Sequence, residues 1–540
     1  MSTDPHAVGK NPGSFAPLRQ TTFLVIWIAT ILGNTGSFMR DVASSWLVVE
    51  LKGGPASVAM IQAAGTLPVF LLAIPAGVLS DILDRRKFLV LIQLCLAALS
   101  IGLMTLSHLG LLTIQTLITV TFLGGVCAAL VGPTWQSIVP ELVPPADLKN
   151  AVGLNSLGVN IARSIGPAAG GVLLASIGAA FTYGADVASD LVVAAALLWW
   201  HRHTGKDNAL PEHFLGAFRA GLRYTRSSRP LHRVLLRAAV FFLFVSCVWA
   251  LLPLVARNVL NGGAGFYGVL LGAVGAGAIG GAIVLPRLRQ RLSADQLLLA
   301  ASLMSAAAMV VLALAPPKAV ALVALLALGA AWITALTTLN GVAQSILPNW
   351  VRGRGLAVYL MVFNGAMAGG SLGWGALAEA IGVPRTLWVG AALICVVALL
   401  MYGVRLPAAE LDLSSSNQWP EPLLADPIPN DRGPVLIQIE YRIAPAQLAA
   451  FVTALTQLSN ERRRDGAYAW GVTQDTADPL RLVEWFMVES WAEHLRQHHR
   501  FSNAGADLQH AVVRYHEGNE PPKVTHLLAI DQADVGKPSA

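Results

Sequence analysis

The sequence predicts an all-α membrane protein of twelve helices, arranged as two six-helix bundles, followed by a soluble C-terminal α+β domain. Three observations carry this reading. Between Thr21 and Arg405 there are about a dozen apolar stretches, each long enough to cross a hydrocarbon core of about 30 Å as a helix. Basic residues fall almost entirely in alternate loops, and hydrophobicity drops sharply after Leu406. Composition agrees, with 55% hydrophobic and only 13% charged residues and a mean hydropathy of +0.59, far from a soluble globular chain.

The spans are placed near 20–47, 56–80, 87–107, 110–138, 150–176, 179–201, 233–258, 263–288, 295–315, 318–347, 354–379 and 384–405. The loops after even-numbered spans hold Arg85, Arg86, Lys87, Lys149, the run from Arg202 to Arg233, Arg287, Arg289, Arg291, Arg352 and Arg354, whereas the others hold little beyond Lys52, Arg257, Lys318 and Arg385. By the positive-inside rule the even loops and both termini are cytoplasmic. The net charge of +6 is thus a topology signal, and no nucleic-acid partner is expected. No removed signal peptide is expected at the start, and no nucleotide-binding loop is present to drive transport with ATP. The cysteines Cys95, Cys127, Cys247 and Cys395 lie inside spans without metal spacing and read as core residues.

In order along the chain, span 1 places Thr30, Asn34, Ser37, Asp41 and Ser45 on one face, a stripe suited to a water-filled cavity. Asp41 is the leading coupling candidate; its alternatives are a hydrated acid near the outer mouth or a partner for Arg40. Span 5 carries Ser156, Asn160, Arg163 and Pro167 on one face, and span 6 carries Asp186 and Asp190 one turn apart. Arg163 and Asp190 lie at similar depth, so an ion pair between them is expected, either as a clamp or as a pair that breaks during transport. In the second half, Trp249, Trp332, Asn340, Gln344, Tyr359 and Asn364 offer aromatic and neutral hydrogen-bonding groups suited to a bulky amphipathic substrate.

The two halves repeat one unit. QSIVP at Gln136 to Pro140 returns as QSILP at Gln344 to Pro348, and Asn160 before GPAAGG returns as Asn364 before GGSLGWG. Such parallel repeats around a midplane site belong to alternating-access transporters. The domains are therefore 1–201 and 233–405, joined by a cytoplasmic linker at 202–232 in which residues 213–226 read as an amphipathic helix.

The loop GVLSDILDRRK, from Gly77 to Lys87, resembles the signature loop of the major facilitator superfamily, with Gly77, Asp81, Arg85, Arg86 and Lys87 in place and Ile82 and Asp84 departing from it. NSLGVNIARSIGPAAGGVL from Asn155 and FLGAFRAGLRYTRSSRPL from Phe214 are similar to the branch of enterobactin exporters and transmembrane secretion effectors. The resemblance implies a secondary exporter of the bacterial inner membrane, acting on an amphipathic siderophore, drug or secondary metabolite, with no cofactor. It also implies that Asp81 latches onto the start of span 11 and that Arg85 reaches Glu141; anchoring of the loop is the alternative. The arginine that drug and proton antiporters of the superfamily carry in span 4 has no counterpart here.

After a linker at 406–431, residues 432–535 read as β-α-β-β-α-β, a ferredoxin-like sandwich. This domain resembles the dimeric α+β barrels that include antibiotic biosynthesis monooxygenases, which implies a homodimer contact. It leaves open a membrane-tethered enzyme or ligand sensor as the alternative function. His494 and His498 have the spacing of a metal pair, but no second ligand pair accompanies them, and no metal site is expected.

Overall fold

A computed structural model describes residues 15–201, 223–348, 350–407, 416, 428–429, 431–518 and 520–530, without the side chains of Ile74, Val78, Asp81, Ile82 and His499. Among the described residues, twelve helices are long and apolar enough to cross a membrane. They are α1 (Thr21–Glu50), α2 (Pro55–Ile82), α3 (Arg85–His108), α4 (Ile114–Leu142), α5 (Leu148–Ile177), α6 (Ala179–Trp199), α7 (Arg229–Leu254), α8 (Ala264–Arg289), α9 (Ala294–Ala313), α10 (Lys318–Ser345), α11 (Arg352–Ile381) and α12 (Val383–Tyr402). Each expected span meets one of these helices, with ends displaced by about one turn at most. The amphipathic helix expected at 213–226 lies outside the described residues except for its last four.

Local chemistry sets the boundaries. Asp84 caps α3 by accepting from the Lys87 backbone N–H at 3.0 Å, and Ser293 with Gln296 forms a reciprocal capping box on α9. Interior prolines at Pro68, Pro75, Pro133, Pro140 and Pro167 are carried within helices, as a membrane interior allows where neighbouring helices cover the freed carbonyls. Pro253 cannot donate, and α7 loosens after it into a π-helical turn at Val255–Val259. The repeat is visible in the turns: α5 joins α6 through Gly178 at φ +90°, and α11 joins α12 through Gly382 at φ +84°, a conformation that favours glycine.

The chain divides into two compact units. The first holds the helical spans. Within it α1 packs on α5 and α6, α2 on α4, α3 on α6 and α9 on α12. Large apolar side chains such as Leu71, Leu198 and Leu399 are 56 to 62% exposed, the faces a bilayer would solvate.

The second unit combines residues 209–234, 341–358 and 406–540. Its sheet has strands β1 (Val435–Arg442), β2 (Ala469–Gln474), β3 (Arg481–Val488) and β4 (Lys523–Leu528) in the order β2-β3-β1-β4, all antiparallel, with α13 (Leu448–Arg464), α14 (Trp491–Arg500) and α15 (Asn503–Val513). This is the ferredoxin-like order, with the second helical segment split in two. Along β1 burial alternates, so Val435, Ile437, Ile439 and Tyr441 face Phe451, Leu455 and Leu458 in one core. Glu484 on β3 is fully buried and accepts from Trp470 Nε1 at 3.0 Å, Tyr441 OH at 3.1 Å and Arg462 Nε at 3.4 Å.

The tail also holds segments that precede α7 and flank α11. Arg223 pairs with Glu489 at 2.6 Å and Glu493 at 3.4 Å, Tyr224 OH donates to the Ile346 carbonyl at 2.9 Å, and the Arg500 guanidinium lies 4.3 Å from the centre of the Trp350 ring.

Candidate functional site

The charged groups of the first bundle converge on α1, α3 and α6. Asp186 is fully buried; its Oδ2 accepts from Ser100 Oγ of α3 at 2.6 Å and from Arg40 Nη1 of α1 at 3.1 Å. Arg40 also lies 3.6 Å from Asp41 Oδ1, whose side chain is 57% exposed. One turn beyond Asp186, Asp190 is 1% exposed with one carboxylate oxygen unpartnered, and Arg40 and Asp186 both act on it electrostatically. One turn before Asp186, Tyr183 shares a hydrogen bond at 3.2 Å with Ser44 of α1. Arg40, Asp41, Asp186 and Asp190 thus bring one guanidinium and three carboxyl groups together on α1 and α6. A cluster with more acids than bases can change its charge by taking up protons or a cation.

The expected Arg163–Asp190 pair does not form. Among the described residues no acid partners Arg163. By residue count the two share a depth, but Asp190 lies near Arg40 of α1 and Asp186, whereas Ser164, next to Arg163 on α5, lies against Gly275 of α8. Equal depth along two helices does not determine which faces meet. Arg40 instead pairs with Asp186, and Ser100 and Tyr183, which carry no charge signal, complete the cluster.

At the signature loop, Arg85 Nη1 donates to Glu141 Oε1 of α4 at 2.8 Å and to the Ser137 carbonyl at 3.4 Å. Arg86 donates to the Leu197 carbonyl at 2.8 Å and also to Leu198, tying α3 to the last turn of α6. Nothing crowds Gly77 within 4 Å of where a Cβ would stand. The Asp81 side chain lies outside the described residues. Arg237, missed in the sequence, plays the matching part in the second half: it is 3% exposed, donates to the carbonyls of Met401 in the last turn of α12 and of Val404 just beyond it, and pairs with Asp295 at 3.3 Å.

At the end opposite the signature loop, small residues let α5 approach α8 and α11 approach α2. A Cβ on Gly171 of α5 would lie 2.6 Å from the Gly268 Cα of α8, and one on Gly375 of α11 would lie 2.3 Å from the Ala59 Cβ of α2. The Ala56 N–H donates to Glu379 Oε2 at 3.2 Å, and Trp46 stacks on Tyr267 at 5.8 Å.

The second-half candidates separate into two kinds. Trp332 packs edge-on against Trp249 at 5.1 Å and Phe242 at 5.2 Å, with Phe363 beside both Phe242 and Trp332. In this group Trp249 Nε1 is buried without a partner, as is the Tyr359 hydroxyl on α11. Asn364 is buried and donates to the Leu360 carbonyl at 2.8 Å; Asn34 and Asn160 likewise donate to the carbonyls of Thr30 and Ser156 at 2.9 Å. These asparagines therefore keep their amide oxygens for other donors. Asn340 and Gln344 both make polar contacts on α10.

In the tail, the pair His494 and His498, set aside for want of further ligands, meets His526 of β4. Burial and the two neighbouring imidazoles push His494 down to about 3, so its ring is neutral near pH 7.

A family model described as transmembrane secretion effector matches residues 12–534. The staphyloferrin A transporter of Staphylococcus aureus is 22% identical over 393 residues, covering 71% of this chain and 96% of that protein. The multidrug efflux pump Tap of Mycolicibacterium fortuitum is 27% identical over 412 residues, covering 73% and 97%. Among solved structures, a bacterial homologue of the human lysosomal transporter Spinster, inward-facing and unoccupied, superposes with a TM-score of 0.55 at 15% identity, covering 72% of this chain and 96% of that one. A D-xylose–proton symporter gives a TM-score of 0.55 at 16% identity, covering 71% and 98%.

Proposed function

Because the chain belongs to the transmembrane secretion effector family of major facilitators, we propose that it exports an amphipathic siderophore, drug or secondary metabolite by proton-coupled alternating access. It is a multi-pass membrane protein and a secondary transporter of small molecules, not an enzyme. The buried cluster of Arg40, Asp186 and Asp190 beside exposed Asp41 carries the coupling part of the proposal. Three acids around one guanidinium form a group whose protonation changes its charge, on the helices that line the first bundle.

Gly77, Asp81, Arg85, Arg86 and Glu141 form the gate at the signature-loop end, on the cytoplasmic side of a bacterial inner membrane together with both termini, an orientation that the basic loops support. Closure at the opposite end by Gly171, Gly268 and Gly375 supports an inward-facing state. Trp249, Trp332, Tyr359, Asn34, Asn160, Asn340, Gln344 and Asn364 are the substrate-facing candidates, since aromatic faces with unpartnered donors suit a bulky amphipathic molecule.

The tail is a binding module of the monooxygenase-like barrel type, and its open sheet face, with Leu436, Val483, Trp485 and Met487 half-buried, is the surface a second copy would cover. The test is uptake into inverted vesicles under an imposed pH gradient, with a panel of siderophores and amphipathic drugs. Gradient-dependent accumulation lost in Asp41→Asn, which keeps the buried Arg40–Asp186 pair, supports the proposal. Accumulation that ignores the gradient, or survives in Asp41→Asn, overturns the coupling.

A further inference from the structure

We propose that the tail binds a divalent first-row transition ion of the zinc type through His494, His498 and His526. The sheet register creates the site. His526 pairs with Ile437, whose side chain points into the core, so His526 projects from β4 toward the helical layer, not toward the open face. There it meets α14, on which His494 and His498 stand i, i+4 on one side.

The nearest ring nitrogens are already at ligand spacing. His494 Nε2 and His498 Nε2 are 3.2 Å apart, and one nitrogen of each of the three rings lies within 4.8 Å of the others. A tetrahedral ion bound to imidazoles at about 2.0–2.1 Å needs nitrogens about 3.4 Å apart. Only His526 must close in, and it lies on an edge strand. The His494 and His526 rings have centroids 4.7 Å apart, with Trp491 packed on both.

His494 is 1% exposed, and its Nδ1 is buried without a partner. A metal on Nε2 would assign the proton to Nδ1, and Gln497, also 1% exposed and beside the ring, supplies an amide oxygen to accept it. Glu493, the nearest acid in the helix, is engaged by Arg223, Arg496 and Arg500. Among the described residues the protein thus offers three ligands, leaving the fourth position to water or a small anion. Imidazole ligands favour zinc, copper, nickel and cobalt over magnesium or calcium.

The test uses the full-length protein in detergent, purified without a polyhistidine tag and stripped with chelator. Zn²⁺ is titrated in competition with a chromogenic chelator, and Co²⁺ is followed by its visible ligand-field absorption. The expected result is one ion per chain, a four-coordinate Co²⁺ band, and affinity reduced by about tenfold or more in His526→Gln. His510→Gln, which alters an exposed histidine of the same domain, should leave both readouts unchanged. The proposal is overturned if the wild type gives no Co²⁺ band, or if His510→Gln weakens binding as much as His526→Gln. If His526→Gln does not fold, His498→Gln replaces it, and unchanged affinity in that variant also overturns the site.

Discussion

Asp186→Asn should cost far more stability than Asp41→Asn, although both remove an acid beside the same arginine. Asp186 is fully buried and bonded to Arg40 at 3.1 Å, while Asp41 is 57% exposed at 3.6 Å. At an effective dielectric of about 20, unit charges 3.1 Å apart attract by about 5 kcal/mol. Breaking a buried pair from one side costs about 3–5 kcal/mol, because the remaining charge is left in an apolar interior. That is about two to almost four decades in the folded-to-unfolded equilibrium constant. The exposed Asp41 contact is worth about 1 kcal/mol or less. Unfolding by SDS titration in mixed micelles, followed by tryptophan fluorescence, would measure each loss. Arg40→Gln combined with Asp186→Asn removes both charges, so the double variant should recover most of the deficit, with a coupling energy of about 3 kcal/mol. Additive single losses, or an Asp186→Asn variant within about 1 kcal/mol of wild type, would refute the buried pair as the organising contact.

Asp41→Asn should fold normally yet lose gradient-driven transport, and unimpaired flux in vesicles would remove it from the coupling group. Asp190→Asn should be neutral or stabilising, since its neighbour is Asp186; a clear fall in folded yield would mean that it has a cationic partner of its own. Gly268→Val overpacks the α5–α8 contact by about 1–3 kcal/mol and should part the helices at that end. Maleimide labelling of Ala175→Cys in a background free of the native cysteines should then rise, and unchanged labelling would contradict the closed contact. In the tail, burial raises the Asp465 carboxyl to about 7 from 3.8, with Arg464 opposing the shift. The fold therefore binds more protons than the unfolded chain between these values, and the Asp465 contribution is lost as pH rises through about 7. Protection factors of α13 amides, corrected for intrinsic exchange, should fall over that range in wild type and stay level in Asp465→Asn.

The positions of the helices were legible because a bilayer imposes a length and an apolar composition that one-dimensional inspection detects, and the glycine turns at Gly178 and Gly382 mark the same repeat as QSIVP and QSILP. The strand order of the tail followed from alternation and element order, since a β-α-β-β-α-β chain has few ways to cover one sheet face. Facing relations were not legible in this way. Depth along a helix comes from counting residues, but azimuth depends on which ridges of neighbouring helices interlock, so Arg40 and not Arg163 meets the acids of α6. For the same reason Arg237 was invisible as a counterpart of Arg86 until its carbonyl partners at the end of α12 were in place. The histidines show the division most sharply. The sequence alone determined that His494 and His498 share one side of a helix, whereas their meeting with His526, 28 residues past His498, was decided by the register of β4 on β1, a set of long-range hydrogen bonds that no local pattern encodes.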